Sequence, residues 1–296
     1  MHGISRRELL RGSSVLPLAA VPFSLGRDRR GDGVDFVPPI GACAGLSRAE
    51  ALAREGGAYI EISCAGNLIP DRPESEFTAR LEQIKNAAVP VRRANGFLPG
   101  KLQCTGPDAD HEAVLNYAEL AFERASRAGI ETITFGSSGA RTLPEGFPPA
   151  EARLQFVATL ARMAPLAEKW GVTVAVEPLR RAETNFINRV SEALPLVRAV
   201  DHPRVRITAD IYHMLVEEDP PESIVEAGAY IHHVHIAEKD GRTAPGVKGD
   251  DFRPYLRALS RIGYSGDISI ECRWSDFDAQ LAPALAALRA QCAEIG

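Results

Sequence analysis

The sequence predicts an α/β fold, a single (β/α)8 TIM barrel, from three observations. Short β-branched runs alternate with longer amphipathic runs from about residue 35 onward, and the alternation gives eight units. Alternating βα units form a parallel sheet with helical crossovers, and eight units in about 260 residues match the size of such a barrel. Gly129, Gly171 and Gly263 each end a predicted helix just before a strand, where a left-handed residue is expected.

The predicted elements alternate along the whole chain after residue 35. Strands are expected at 36–43, 58–63, 89–95, 132–135, 172–176, 205–209, 231–236 and 267–271. Helices are expected at 48–55, 77–86, 111–128, 151–170, 190–200, 222–226, 252–262 and 279–294. A doubly wound sheet is the alternative. Such a sheet would carry a glycine-rich phosphate-binding loop after its first strand, and the loop after the first predicted strand of this chain lacks that pattern. No long polar linker divides residues 31–296, so we expect one domain there.

Residues 1–30 resemble a twin-arginine export signal. Arg6 and Arg7 precede a modestly apolar stretch of small residues, which a second basic cluster follows. The stretch is too short, and too interrupted by prolines, for a transmembrane helix. We therefore expect cleavage of this segment and a periplasmic protein. A cytoplasmic protein with a basic N-terminal tail is the alternative.

The composition excludes several classes of function. The 296 residues are 45% hydrophobic and 25% charged, which is ordinary for a globular protein. A formal net charge of −5 disfavours a nucleic-acid partner, because phosphate backbones are bound by a surplus of Lys and Arg. The five cysteines are scattered and contain no Cys-x-x-Cys pair, so neither a disulfide framework nor a thiolate zinc site is predicted.

Each of the last four predicted strands ends in one side chain that can bind a metal. These residues are Glu177, Asp210, His235 and Glu271, spaced 33, 25 and 36 residues apart, about one βα unit each. Side chains alternate across a strand, and the apolar faces of three of these strands leave the three carboxylates inside the barrel. Carboxylates that converge at the C-terminal end of a barrel, where active sites lie, repel one another without a cation.

Three carboxylates and one imidazole predict a site for one divalent metal. Carboxylate and water ligands favour harder cations, so Mn²⁺ is expected, with Co²⁺, Mg²⁺ or Zn²⁺ as alternatives. The two histidines next to His235 are not expected to be ligands. The alternation of side chains predicts that His232 faces the helices and that His233 lies deeper inside the barrel.

The segments around these residues resemble the sugar phosphate isomerase/epimerase superfamily, which has a xylose isomerase-like TIM barrel. The segments are VEPLRRAE at 176–183, ADIYHM at 209–214, HIAE at 235–238 and IEC at 270–272. The ketose 3-epimerase branch is the nearest well-understood relative, and the resemblance extends from about residue 35 to residue 290. It implies that Glu177, Asp210, His235 and Glu271 bind one divalent metal. It also implies that Glu177 and Glu271 act as general base and acid on opposite faces of the substrate.

The resemblance also implies residues that bind the substrate. Glu183 and His213 match positions that contact sugar hydroxyls in the family. Arg242 lies close to a substrate-binding arginine of the relatives, which follows the histidine ligand by six positions. Here Gly241 holds that position, so the role of Arg242 is open.

Four further residues are weaker candidates for the mouth of the barrel. Glu61 and Asn95 are at the ends of the second and third predicted strands, Arg141 follows the fourth, and Trp274 comes just after Glu271. Trp274 could stack on a sugar ring. For each of these positions, a rim or packing role is an equally good interpretation.

The resemblance implies a divalent-metal-dependent sugar isomerase or epimerase that abstracts a proton α to a carbonyl through a metal-stabilised enediolate. The alternative is a lyase or dehydratase that uses the same enolisation on a keto-sugar or a 3-keto-glycoside. A sugar-binding barrel without catalysis is a third hypothesis. Endonucleases with this barrel use additional histidines for several zinc ions, and the chain has only seven histidines. Dimers and tetramers are common in the family, so a homo-oligomer is compatible with the resemblance.

Overall fold

Eight parallel strands close into a barrel in the computed structural model, which describes residues 36–295. The predicted export signal at 1–30 lies outside the described residues. The strands are β1 Ile40–Cys43, β2 Ile60–Ser63, β3 Val91–Asn95, β4 Thr132–Phe135, β5 Thr173–Val176, β6 Val205–Asp210, β7 Ile231–Ile236 and β8 Ile268–Ile270. They pair in chain order, and β8 closes the ring by pairing with β1. The predicted (β/α)8 barrel is therefore confirmed.

Helices cover the outside of the barrel. They are α1 Ala49–Arg54, α2 Glu74–Lys85, α3 His111–Ala128, α4 Ser138–Arg141, α5 Pro149–Lys169, α6 Val190–Val200, α7 Ile211–Val216, α8 Glu222–Ala227, α9 Arg253–Arg261 and α10 Phe277–Ala293. The sequence predicted eight of them and missed α4 and α7, two short helices that follow β4 and β6 ahead of the predicted helix of each unit. Within residues 36–295, none of the helices combines the length and the apolar character that a membrane span requires.

The apolar core lies between the strands and the helices. A chain of aromatic rings runs through it from the loop after β3 to the loop after β5, with ring centroids 5.3 to 5.7 Å apart. Its members are Phe97, Phe122, Phe135, Phe156 and Phe186, all buried. Because β-branched and aromatic side chains fill this outer layer, the side chains inside the barrel are free to be polar.

A buried ion pair occupies the N-terminal end of the barrel interior. The guanidinium of Arg93 in β3 donates to both carboxylate oxygens of Asp267, with both distances 3.0 Å. The two residues are only 8% and 3% exposed. Burial alone would raise the pKa of Asp267, but the contacts with His233 and Arg93 lower it to about 2. This pair links β3 to the start of β8 across the interior.

Strand β7 is irregular, and this changes the place of one histidine. Its pairing with β6 shifts between Ile207 and Thr208, so the two-residue alternation of side chains is broken. His232 does not face the helices, because its Nε2 lies 3.1 Å from Thr132 Oγ1 of β4, a strand that is not its neighbour. That prediction was wrong. His233 was expected deeper in the barrel, and it is fully buried there.

Replacing Asp267 by Ala is expected to cost about 3–5 kcal/mol of folding free energy, because it leaves Arg93 buried without its partner. Urea unfolding at neutral pH measures this loss. The contribution is present above the unfolded pKa of about 3.9, and it is lost as pH falls towards the folded value of about 2. Arg162→Ala is the control, since the ion pair of Arg162 with Glu112 is exposed and should contribute less than about 1 kcal/mol. Equal losses in the two variants would contradict the assignment.

Candidate active site

The C-terminal ends of β5 to β8 bring four metal-capable side chains together. Glu177 directly follows β5, Asp210 ends β6, His235 lies near the end of β7, and Glu271 directly follows β8. One donor atom of each lies within 4.8 Å of the others. Glu177, Asp210 and His235 are buried, and Glu271 is half-buried. The structure thus assembles the four residues that the sequence singled out.

The imidazole of His235 lies between two carboxylate groups on one side and a third on the other. Its Nδ1 is 2.8 Å from Glu177 Oε1 and 3.1 Å from Glu271 Oε2. Its Nε2 points the other way and is 3.1 Å from Glu61 Oε1. Glu61, a candidate for the mouth, is fully buried under His235 and does not line the rim.

The carboxylates of the cluster differ in acidity. Burial raises the pKa of Glu177, and the charges of Glu271 and Asp210 add to this rise. Burial has the same effect on Glu271, but His235 and Arg242 outweigh it and lower its pKa to about 2. Burial would lower the pKa of His235, but Glu61 and the other carboxylates hold it well above its usual value. The cluster therefore concentrates negative charge and attracts positive charge.

Arg242 reaches the cluster although it comes one position later than the arginine of the relatives. One terminal nitrogen of its guanidinium lies 3.0 Å from Asp210 Oδ2 and 2.5 Å from Glu271 Oε2. The guanidinium also lies 4.6 Å from the ring centroid of Tyr212. Gly241 and Arg242 both have left-handed φ angles, +71° and +55°, so the chain turns sharply at the residue that carries this guanidinium.

Glu238 holds the loop that carries Arg242. Its buried carboxylate accepts hydrogen bonds from the backbone N–H groups of Gly246, Lys248 and Gly249, at 2.6 to 2.9 Å. It also accepts a hydrogen bond from the hydroxyl of Thr243 at 2.7 Å. The sequence contained Glu238 in a family motif but gave no role for it. A glycine-containing loop after a buried acid was the only available signal.

His213 and Glu183 lie on the β5 and β6 side of the cluster. His213 Nδ1 accepts a hydrogen bond from the backbone of Arg180 at 3.1 Å, so the neutral ring carries its proton on Nε2. Nε2 has no hydrogen-bond partner among residues 36–295, and it is 3.4 Å from Asp210 Oδ2. Glu183 accepts a hydrogen bond from Arg180 Nε at 2.7 Å and stays partly exposed. A polar ligand at the cluster could use the Nε2–H donor of His213.

Of the remaining candidates, Asn95 and Arg141 contact the cluster from different sides. Asn95 donates to Glu271 Oε1 at 2.7 Å. Arg141 is fully buried and donates to the backbone oxygen of Glu177 at 2.6 Å, so it does not line the rim. Burial lowers the pKa of Arg141 to about 10, against the opposing charge of Glu177. Trp274 packs edge-on against Phe277, with ring centroids 4.9 Å apart.

Two features near the cluster were not predicted. Cys43, at the end of β1, forms a second group of potential ligands with Glu61 and His235. A cavity of about 470 Å³ opens between the loops after β1 and β8, with Arg48, Trp274 and Phe277 in its lining. Its lining begins one residue after Cys43 and three residues after Glu271, so the cavity lies at the C-terminal end of the barrel, where the cluster also lies.

Comparison with known proteins identifies relatives of this barrel. A family model described as a xylose isomerase-like TIM barrel matches residues 49–292. A ketose 3-epimerase of Arthrobacter globiformis is 35% identical over 115 residues, which are 38% of this chain and 39% of that protein. A putative hydroxypyruvate isomerase of Streptomyces coelicolor is 27% identical over 249 residues, which are 78% of this chain and 86% of that protein.

The fold also matches solved structures. The crystal structure of 3-keto-D-glucoside 4-epimerase from E. coli superposes with a TM-score of 0.73 and 23% sequence identity. The superposition covers 86% of this chain and all of that one. At this identity the likeness establishes the fold. The match to the ketose 3-epimerase, in turn, spans about two fifths of that protein's length.

Replacing Glu238 by Gln should loosen the loop from residue 239 to residue 250. An amide offers one acceptor oxygen instead of two and turns an NH2 group towards backbone N–H donors. Losing such a charged acceptor costs about 1.5–3 kcal/mol, and the local opening of the loop should rise about 10- to 100-fold. Limited trypsin digestion at Lys239, Arg242 and Lys248 measures this. Asp240→Asn, an exposed change in the same loop, is the control, and equal cleavage of both variants would contradict the role of Glu238.

Proposed function

This chain belongs to the xylose isomerase-like TIM barrel family, and from that membership we propose that it is a divalent-metal-dependent sugar epimerase or isomerase. The observation that carries the proposal is the pair of carboxylates, Glu177 and Glu271, within one cluster of potential metal ligands. Two carboxylates that face one site can serve as the base and the acid of a proton transfer. The relatives named above as epimerase and isomerase support this class of reaction.

The donor set fits a hard or borderline divalent cation. Asp210, Glu177 and Glu271 supply carboxylate oxygens and His235 supplies a ring nitrogen, a mixture that suits Mn²⁺, with Co²⁺, Mg²⁺ or Zn²⁺ as alternatives. The charges in the cluster also require neutralisation, because Arg242 alone contacts only two of the three carboxylates. When bound, the cation would polarise the carbonyl of a keto-sugar and stabilise the negative charge of its enediolate.

The side chains in and around the cluster would transfer the protons, position the glutamates and bind the substrate. In the proposed reaction one glutamate removes the proton next to the carbonyl, and the other returns a proton to the opposite face. Asn95 donates a hydrogen bond to the carboxylate of Glu271, and Arg141 donates one to the backbone oxygen of Glu177. His213 donates its Nε2 proton to a substrate oxygen. Arg242 contributes fixed positive charge beside the carbonyl.

The cavity beside the cluster bears on the class of sugar. Its volume of about 470 Å³ leaves room for a substituent beyond the reacting ring, and Trp274 in its lining provides an aromatic surface for sugar. The substrate is therefore proposed to be a free ketose or a keto-sugar with a further group attached, such as a 3-keto-glycoside. The fold match to a 3-keto-D-glucoside 4-epimerase makes the second class worth testing.

Divalent metal should stabilise the protein. At Mn²⁺ concentrations about 100 times the dissociation constant, binding adds about 2.7 kcal/mol to the free energy of unfolding. Thermal unfolding of EDTA-treated protein, with and without Mn²⁺, measures this as a higher Tm. Asp210→Asn removes one charged ligand and should abolish most of the increase. If Mn²⁺ shifts the Tm of Asp210→Asn as much as that of the wild type, the cation binds elsewhere.

Exchange of substrate protons with solvent deuterium tests the reaction itself. Mn²⁺-loaded protein in D2O should place deuterium next to the carbonyl of at least one free ketose or 3-keto-glycoside, as followed by NMR. Glu271→Gln should lower the exchange rate by at least about 100-fold, because it loses one of the two proton-transferring groups. Its Mn²⁺ content is measured alongside, so that lost chemistry is distinguished from lost metal. A product with an eliminated group would instead indicate a lyase, and exchange that does not need metal would contradict the proposal.

A further inference from the structure

We propose that Glu61 is a positioning residue of the metal site. It accepts a hydrogen bond from the Nε2–H group of His235 and thereby leaves Nδ1 of that ring unprotonated and able to bind the cation. This inference rests on the metal binding in the proposed function, but not on its chemistry. Glu61 itself touches neither the cation nor the substrate in this arrangement.

The two nitrogens of His235 face different groups. Nδ1 lies among the oxygens of Glu177 and Glu271, which belong to the ligand cluster. Nε2 lies 3.1 and 3.2 Å from the two oxygens of Glu61. A neutral imidazole has one proton, and the nitrogen without it is the one that can bind a metal. With a cation among the oxygens of Glu177 and Glu271, a carboxylate at Nε2 would keep the single ring proton on that nitrogen and leave Nδ1 free to bind the cation.

Glu61 is itself held in one orientation. The hydroxyl of Ser269 donates to Glu61 Oε2 at 2.6 Å, and His233 Nε2 lies 2.8 Å from the same oxygen. Tyr59 extends the network, with its hydroxyl 2.7 Å from that of Ser269. All of these side chains are buried. A carboxylate fixed on this side can hold the ring plane of His235 as well as its tautomer.

A different interpretation gives Glu61 a metal of its own. Cys43, Glu61 and His235 lie close enough to form a second ligand group. Glu61 Oε2, however, already has Ser269 and His233 as partners, and neither of these residues belongs to that group. We therefore assign Glu61 to His235 and not to a second cation.

Three variants separate this bond from the charge of Glu61. Glu61→Gln removes the charge and places an NH2 group where Nε2 can accept from it, which favours the wrong tautomer. Glu61→Asp keeps the charge but withdraws it from His235 by one methylene group. Thr134→Val removes a buried hydroxyl inside the barrel, 3.2 Å from that of Thr208, and leaves every hydrogen bond of Glu61 in place. Circular dichroism and thermal unfolding of the metal-free proteins check that each variant folds.

The affinity for Mn²⁺, measured by electron paramagnetic resonance of the free ion, is the first readout. Glu61→Gln and Glu61→Asp should each weaken binding about 10- to 100-fold, while Thr134→Val should change it less than about 3-fold. Wild-type affinity in Glu61→Asp together with weak binding in Glu61→Gln would show that charge alone matters, and would overturn the proposal. Wild-type affinity in both variants would overturn it as well.

Nitrogen-15 NMR of the wild type gives a readout that does not depend on the folding of any variant. In Zn²⁺-loaded protein with labelled histidine, His235 should carry its single ring proton on Nε2 and show Nδ1 as the metal-bound nitrogen. Metal at Nε2, or two zinc ions per chain with His235 deprotonated, would overturn the proposal. Both readouts report binding. If the expected pattern appears but no sugar exchanges deuterium, the proposed activity fails and the role of Glu61 stands.

Discussion

The rest of the site depends on one interaction, the pairing of buried carboxylates inside the barrel with positively charged or hydrogen-bond-donating side chains. Asp267 and Glu61 lie along the interior, and the carboxylates of the cluster lie at its C-terminal end. A carboxylate taken out of water is costly unless a positive partner or several donors compensate it. Arg93 is the partner of Asp267, and His233 and His235 of β7 are the partners of Glu61. The interior is thus a chain of polar contacts instead of the branched apolar layers common in such barrels.

The location of the apolar side chains makes this interior possible. The outward faces of the strands and the aromatic chain under α3 and α5 supply the hydrophobic contact area that stabilises the fold. The inward positions of the strands are then available for polar and charged side chains that can bind a ligand. The network also orders the site, because His235 is held by Glu61 below it and Glu271 is held by Asn95 across the barrel. Side chains fixed in this way lose little further freedom when a ligand arrives.

The sequence predicted the architecture and the composition of the cluster well, because both follow from short-range patterns. The bounds of β4, β7, α3 and α6 agree with the structure, and the ligand candidates occupy strand ends that a closed parallel barrel must bring together. Contacts between distant residues could not be predicted in this way. Glu61 and His235 are 174 residues apart, and a position at a strand end could not tell a rim residue from one beneath a ligand. The irregularity in β7 reversed the expected direction of His232, because alternation holds only in a regular strand.

In the proposed metal site, Arg242 would complete the balance of charge beside a divalent cation. Three carboxylates carry one more negative charge than a divalent ion neutralises, and His235 adds none when it binds as a neutral ring. The guanidinium contacts Asp210 and Glu271, and each carboxylate oxygen has lone pairs for two partners. If the proposed cation binds, Arg242 would therefore not need to leave these carboxylates, and its guanidinium would supply the missing positive charge. Because Glu238 fixes the loop that carries Arg242, a buried acid remote from the reacting atoms takes part in setting the electrostatics of the site.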